Sequence, residues 1–421
     1  MKRILGLFIA ALMLLSFPRA MNAGASDGRP SRFYATFLQN WLCRDWTEDQ
    51  WREEFDAARE AGFQAVILQS VCDIVRGEAS GEPQDPAGYP DTSAFCMYPS
   101  AIPALSGAYR SSQNGGDALA LALTAAQETG MKLWIGTVSD DLWWKYGWGM
   151  PQPDGDSTYF EEWSAENAAL SASLVTEIWE RYGREFDGQI GGFYYVNEIW
   201  NLDAACHGTD GGLYSECIGG NIRQTIRAIE NACPDKPLLI SPFYNPDLSI
   251  PAQYTAFLTD LIEAAQFRPI DIYAGQDGGG AERSPAVIRE WALAQKQAAE
   301  GRMRFWINCE SFQADLTPKP IEALRADYAA TADLAECVIL FSWEHYYRGT
   351  ELDAAFTAFA GECLRGDVNG DGVLSVTDAV MLQKWLLCMG ELTQPETADL
   401  LPDGKIDILD LALVKHALLH P

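Results

Sequence analysis

Two carboxylates stand where short apolar runs end: Glu198 closes Tyr194-Tyr195-Val196-Asn197-Glu198, and Glu310 closes Trp306-Ile307-Asn308-Cys309-Glu310. A pair of carboxyl groups sharing one cleft can split a glycosidic bond. One protonates the leaving oxygen and the other attacks the anomeric carbon, with about 5–5.5 Å between them where configuration is retained. A second set of oxygens lies near the C-terminus, where the chain from Asp367 reads D-V-N-G-D-G-V-L-S-V-T-D. Side-chain oxygens fall at loop positions 1, 3, 5, 9 and 12, with Gly372 at position 6 for the sharp turn. A hard cation needs six or more oxygens, and this spacing delivers them from one short segment. The expected calcium ligands are Asp367, Asn369, Asp371, the Val373 carbonyl, Ser375 through water, and Asp378.

The same pattern returns 32 residues later as D-L-L-P-D-G-K-I-D-I-L-D, and each loop runs straight into an apolar helical pattern. A duplicated loop-helix unit is an internal repeat, far less expected by chance than one match. Asp399, Asp403, the Lys405 carbonyl, Asp407 and Asp410 are the ligands expected in the second loop. Position 3 there is Leu401, which has no side-chain oxygen, so the second calcium site is expected to be the weaker.

The two glutamates need a scaffold that brings distant strand ends together. Eight β-rich runs qualify: Phe33–Leu38, Gln64–Gln69, Lys132–Val138, Gly191–Val196, Pro237–Ser241, Ile270–Ala274, Met303–Asn308 and Cys337–Ser342. Amphipathic stretches separate them, among them Glu48–Ala61, Asp117–Thr129, Glu162–Tyr182, Asn221–Cys233, Ala252–Ala265, Pro285–Ala299 and Pro320–Ala332. Strands alternating with helices in this number point to an α/β (β/α)8 TIM barrel. The competitor, a doubly wound open sheet, lacks its Gly-rich turn after the first strand. A barrel concentrates chemistry at the C-terminal ends of its strands. Glu198 then ends the fourth strand and Glu310 the seventh. Further candidates for substrate contact are Tyr244 and Asn245 after the fifth strand and Gln276 and Asp277 after the sixth. Sugar rings stack on flat side chains; Trp143 and Trp144 belong to an aromatic cluster in the loop after the third strand that is hard to bury as ordinary core, and Trp41, Trp200 and Trp343 sit just past strand ends, where some, Trp41 above all, could instead plug the barrel mouth.

Met1-Lys2-Arg3 followed by an apolar run to Phe17 and then small residues reads as a secretory signal over residues 1–25. The expected organisation is that leader, a barrel over 26–362, and a small all-α calcium-binding module over 363–421. A formal net charge of −29 excludes nucleic acid as a partner, because phosphates need Lys and Arg. After cleavage of the leader no membrane association is expected, and the protein is placed outside the cell. Of the ten cysteines, Cys206 and Cys217 flank a Gly-rich stretch and are the expected pair, while Cys309 and Cys337 read as buried free thiols.

Residues 366–421 resemble the type I dockerin. That resemblance implies a cohesin of a scaffoldin as partner, cellulosomal localisation at the bacterial cell surface, and Val376, Thr377, Ile408 and Leu409 as selectors of the cohesin. Asn-Glu closing the fourth strand with Glu closing the seventh resembles the clan of retaining barrel glycosidases. By that likeness Glu198 is the acid/base, Asn197 a donor to the sugar 2-hydroxyl and Glu310 the nucleophile, acting on plant-cell-wall polysaccharide without a cofactor in the barrel. The wider pattern, with S-P-F-Y-N-P, Q-D-G-G-G and F-S-W-E-H-Y-Y at strand ends, looks like a bacterial family of glycosidase-like barrels known only as a domain of unknown function. A non-catalytic carbohydrate-binding barrel and a structural cellulosome subunit are the alternative readings.

Overall fold

A computed structural model describes residues 32–75, 94–143, 158–201, 213–361, 366–369, 374–401 and 404–419. The strands among them are β1 (Ala35–Leu38), β2 (Ala65–Leu68), β3 (Cys72–Ile74), β4 (Ala94–Cys96), β5 (Lys132–Gly136), β6 (Val138–Asp140), β7 (Ile190–Tyr195), β8 (Leu238–Ile240), β9 (Ile272–Gln276), β10 (Arg304–Glu310) and β11 (Cys337–Phe341). Eight of them, β1, β2, β5, β7, β8, β9, β10 and β11, form a closed barrel in which β11 returns to pair with β1. Every neighbouring pair in the ring is parallel. These are the eight expected strands.

Strand side chains alternate between the two faces. One parity fills the barrel with Ala35, Phe37, Ala65, Ile67, Trp134, Tyr194, Leu239, Ala274, Trp306 and Ile339. The other parity, for example Phe193, Tyr195, Ile307 and Cys309, joins the much larger core under the helices. Those helices begin where their sequences cap them. Thr47 forms a capping box with Gln50 ahead of Glu48–Glu60, Asp117 accepts the Ala120 N–H ahead of Ala118–Thr129, and Ser284 precedes Pro285 at the start of Pro285–Ala299. No helix among the described residues is long and apolar enough to cross a membrane.

A second sheet, not expected from the sequence, packs β3 between β4 and β6. Its strands have three residues each, too few to show a period. β3 follows β2 and β6 follows β5, so this sheet extends the C-terminal ends of the second and third barrel strands. Cys72 and Cys96 lie opposite each other in it and form a disulfide. The expected pairing is corrected accordingly: Cys217 is a free thiol, and Cys206 lies outside the described residues. Cys309 and Cys337 are free, the first buried and the second half-buried.

In the C-terminal module, helices Val376–Leu386 and Ile408–Leu419 enclose a small core of Val368, Ala379, Leu382, Ala398, Leu411 and Val414.

The disulfide closes a loop of 24 residues that anchors the extra sheet to the rim. Replacing Cys72 and Cys96 together by Ser is expected to lower the unfolding free energy by roughly 3 kcal/mol. Alkylation of the unreduced, denatured protein followed by peptide mass spectrometry should find Cys72 linked to Cys96 and Cys217 alkylated.

Candidate functional site

The parity that fills the barrel continues past the strand ends. In β7 Tyr194 and Val196 point inside, which brings Glu198 to the mouth. In β10 Trp306 points inside, and Asn308 and Glu310 follow at the same two-residue step. In β9 the same step from Ala274 leads to Gln276. The two glutamates and Gln276 therefore converge on the mouth; Gln276 and Glu310 come from the adjacent strands β9 and β10, and Glu198 from β7, with β8 between β7 and β9.

Glu198 is half-buried, and desolvation raises its carboxyl to about 7 while a hydrogen bond from Gln276 pulls it back. Gln276 also donates through Nε2 to the Ser241 carbonyl at 3.0 Å, which fixes the amide. Glu310 is buried, and desolvation raises it as well, assisted by the negative charges of Asp277 and Glu198. Two groups oppose that rise: the Gly280 N–H, which donates to Glu310 Oε2 at 2.6 Å, and the ammonium of Lys319. Asn308 donates to Ser241 Oγ at 3.0 Å on the floor between them.

The Gly278–Gly280 turn is shaped around this carboxylate. Asp277 Oδ1 accepts from the N–H groups of Gly279 (2.8 Å) and Glu310 (3.3 Å), tying turn and strand end together. The Tyr244 hydroxyl donates to the Asp277 carbonyl at 2.9 Å. A Cβ on Gly280 would sit 2.5 Å from the Phe312 ring and 2.9 Å from Glu310 Oε2, so only glycine lets this N–H reach the carboxylate.

Aromatic rings line the rim beside Glu310. Phe312 stacks on Tyr346 (5.4 Å between centroids), Tyr346 on His345 (4.3 Å), and Trp41 meets His345 edge-on (5.2 Å). The Gln39 amide lies 3.2 Å from His345 Nδ1 and orients that ring. Trp41 is half-buried and His345 exposed, leaving flat apolar surface open to a ligand.

The structure separates the other candidates from the mouth. Asn197 has the opposite parity to Glu198, and its amide donates to Asn167 Oδ1 (3.3 Å) and the Tyr195 hydroxyl (3.1 Å) behind the strand. Trp143, Trp200 and Trp343 are buried members of the outer core. Trp143 packs against Trp163, Trp200 stacks on Phe243, and Trp343 packs on Phe63 and donates to Asp353. Tyr244 is sandwiched on Trp291 with centroids 4.5 Å apart, so it holds the turn. Asn245 closes a turn of its own, its side chain accepting the Asp247 N–H and its backbone bonded to Asn201. Trp144 lies outside the described residues. Phe312, Tyr346, Asn308, Lys319 and Asp327 were not foreseen. The strand parity running through Trp306 and Glu310 carries the signal for Asn308, whereas the others come from loops and a distant helix.

The C-terminal loops repeat in space as they do in sequence. Asp378 accepts the N–H of Asn369 (3.2 Å) and Ser375 (2.8 Å); Asp410 accepts the N–H of Leu401 (3.0 Å) and Asp407 (2.8 Å). Each position-12 carboxylate is thereby pinned to positions 3 and 9 of its own loop, and both are buried. A carboxylate so held inside an oxygen-rich turn fits a hard cation. No cluster of three or more His, Cys, Asp and Glu side chains poised for a metal occurs among the described residues, and Asp371, Val373 and Asp403 lie outside them. Val376, Ile408 and Leu409 are exposed apolar residues, and Thr377 is exposed beside them.

The family model described as domain of unknown function DUF4434 matches residues 34–351, and that of the dockerin type I domain matches residues 365–419. Among solved structures, a candidate alpha-L-fucosidase from Bacteroides thetaiotaomicron VPI-5482 is 18% identical with a TM-score of 0.57, covering 79% of this chain and 92% of that one. A beta-galactosidase from the psychrophilic Marinomonas ef1 is 12% identical (TM-score 0.45), with 84% of this chain and 60% of that one covered. The catalytic domain of an endoglucanase from Thermobifida fusca is 11% identical (TM-score 0.43), with 78% and 85% covered. At these identities the likeness is one of fold. No curated protein matches the chain.

The contact of Gly280 with Glu310 has a direct test. Gly280→Ala must push its Cβ into Phe312 and the carboxylate, and it is expected to cost about 1–3 kcal/mol of unfolding free energy by chemical denaturation. The exposed Gly107, with open space around its Cβ position, serves as the control and should tolerate Ala within about 0.5 kcal/mol.

Proposed function

The chain belongs to the DUF4434 family, and from that premise we propose that its barrel is a retaining glycoside hydrolase acting on plant-cell-wall polysaccharide, secreted and carried on a scaffold by its dockerin. The observation that carries the reading is the convergence of Glu198 and Glu310 on one barrel mouth, close enough for the Glu198 charge to act on Glu310. Their surroundings divide the two roles. Burial raises both carboxyls, Glu198 to about 7 and Glu310 to about 8, so the pair keeps a proton near neutrality; Glu310 has a backbone N–H and an ammonium to stabilise an anion, which suits a nucleophile, and Glu198 has one neutral amide, which suits an acid.

In the first step Glu198 donates its proton to the glycosidic oxygen as Glu310 attacks the anomeric carbon, breaking the bond to the leaving sugar and forming a glycosyl ester. In the second, Glu198 takes a proton from water, whose oxygen displaces Glu310. Trp41, His345 and Phe312 would stack the faces of the sugar rings, with the buried Tyr346 backing His345 and Phe312, and Gln276 and Asp277 would hold the glutamates rather than bind substrate. The 2-hydroxyl would need a donor other than Asn197.

Residues 365–419 are a dockerin type I domain, which implies a cohesin as partner and cellulosomal anchoring. We assign the leader to residues 1–25 and the boundary between barrel and dockerin to about residue 362. Asp367, Asn369, Asp371, Val373, Ser375 and Asp378 would hold one calcium ion, and Asp399, Asp403, Lys405, Asp407 and Asp410 a second. The ion would tie each loop to the start of its helix and set the exposed Val376, Thr377, Ile408 and Leu409 for the cohesin.

Reducing-sugar release on cellulose, xylan, mannan, xyloglucan and pectin tests the hydrolase. Glu198→Gln and Glu310→Gln are each expected to lower kcat by about 10²–10⁴-fold or more with folding intact. The kcat/KM profile should be bell-shaped around pH 7–8, rising as the pair of glutamates loses its first proton and falling as it loses its second. Sugar binding without release by the parent protein would instead indicate a binding barrel. For the dockerin, calorimetry should find two calcium sites differing roughly tenfold or more in affinity, the weaker removed by Asp410→Ala. A chelator should abolish capture by cohesin.

A further inference from the structure

Behind the Gly278–Gly280 turn lies a buried ion pair that the two-glutamate chemistry leaves without a role. Lys319 Nζ and Asp327 Oδ2 are 2.8 Å apart, with side chains only 3% and 8% exposed. Burying such a pair costs more than it returns unless its surroundings use it. The backbone of Lys319 is fixed on both sides: its N–H donates to the Ser311 carbonyl at 2.8 Å, and its own carbonyl accepts the Tyr347 hydroxyl at 2.9 Å. The ammonium therefore has a set position. Gly279 lies directly on it, because a Cβ there would fall 2.2 Å from Lys319 Nζ, 2.5 Å from Asp327 Oδ2 and 3.1 Å from Asp277 Oδ1. Three carboxylates, Asp277, Asp327 and Glu310, thus crowd one ammonium, and one oxygen of Asp277 is buried without a hydrogen-bond partner among the described residues.

We propose that Lys319 is a positioning residue for Glu310: its ammonium supports the Gly278–Gly280 turn that aims the Gly280 N–H, and it supplies the positive charge that favours the Glu310 anion against the carboxylates around it. The proposal rests on the glycosidase reading for its consequence, and its geometry does not. Asp327 acts as a divider, drawing part of the ammonium's field away from the mouth. The other groups facing Glu310 are Asp277, Glu198, Tyr244 and Tyr346; the two carboxylates oppose its ionisation and the two phenols are neutral below pH 10. No other cation acts on Glu310 among the described groups.

Changes at the two members of the pair must then move Glu310 in opposite directions. Lys319→Met removes the charge that favours the anion, so the Glu310 midpoint rises. Asp327→Asn keeps the shape and frees the ammonium, so the midpoint falls. Lys319→Arg keeps the charge and should stay close to the parent. The measurement is a pH titration by NMR of the full-length protein carrying carboxyl-13C glutamate, with Glu310→Gln identifying the resonance. Shifts of about one pH unit, up in Lys319→Met and down in Asp327→Asn, are expected. Should Lys319→Met fail to fold, the downward shift in the isosteric Asp327→Asn still decides. An unmoved midpoint in both folded variants, or movement in one direction in both, overturns the proposal. On the substrate that the parent hydrolyses, the acid limb of kcat/KM should follow the same two directions. Opposite shifts in a parent that hydrolyses no glycan would uphold the Lys319 network and remove the hydrolase reading alone.

Discussion

A closed ring of parallel strands leaves only one opening at its C-terminal end, and every strand delivers alternate side chains to it. That constraint explains how residues more than 100 positions apart, Glu198 and Glu310, come to share one small volume. Hydrogen-bond register in the ring fixes the height of each strand against its neighbours. Asn308 pairs with Gln276 across β10 and β9, and Tyr195 with Ile240 across β7 and β8, which sets the floor and both carboxylates at nearby levels. The large rings inside, Trp134 and Trp306 edge-to-face at 5.9 Å with Phe37 and Tyr194 above, make the barrel a solid plug beneath that floor. Chemistry is confined to the mouth because nothing can pass below it.

Electrostatics at the mouth follow from burying acids in excess of bases. Desolvation raises Glu198, Glu310 and Asp327, and with Asp277, Glu310 and Asp327 crowding Lys319 the full set of negative charges cannot coexist at low cost. Asp277 takes two backbone N–H groups and Glu310 one, whereas Glu198 is held by the side-chain amide of Gln276. The difference between the surroundings of the two glutamates therefore has its origin in backbone geometry, and the three glycines after Asp277 are what bring that backbone close enough to Glu310.

The eight strands, their order and the two glutamates were legible in the sequence because apolar runs bounded by capped helices carry a strong local signal. Asn197 shows where that legibility was misused. Its parity, one step from Val196 and Glu198, already directed it away from the mouth, and only the family likeness suggested otherwise. The tryptophans failed for a different reason. Position after a strand end does not say which way a loop turns, so Trp143, Trp200 and Trp343 became core, while Trp41 stayed at the rim. Lys319 and Asp327 could not be read, since their pairing depends on a helix packing against the sixth and seventh βα loops. The Cys72–Cys96 pair was hidden because its strands are too short to announce themselves.

The C-terminal module solves a different physical problem. Its core is so small that the two helices alone bury little, and several of their apolar residues, Val376, Val380, Ile408, Leu409 and Leu413 among them, face solvent. Such a unit gains order from its loops rather than from its interior. The pinned carboxylates Asp378 and Asp410 already hold each loop against the first turn of its helix, so binding a cation there would cost little rearrangement. The exposed apolar surface is then displayed on a frame stiffened by charge neutralisation. A chain with a net charge of −29 can in this way present a hydrophobic docking surface without a hydrophobic core large enough to support it.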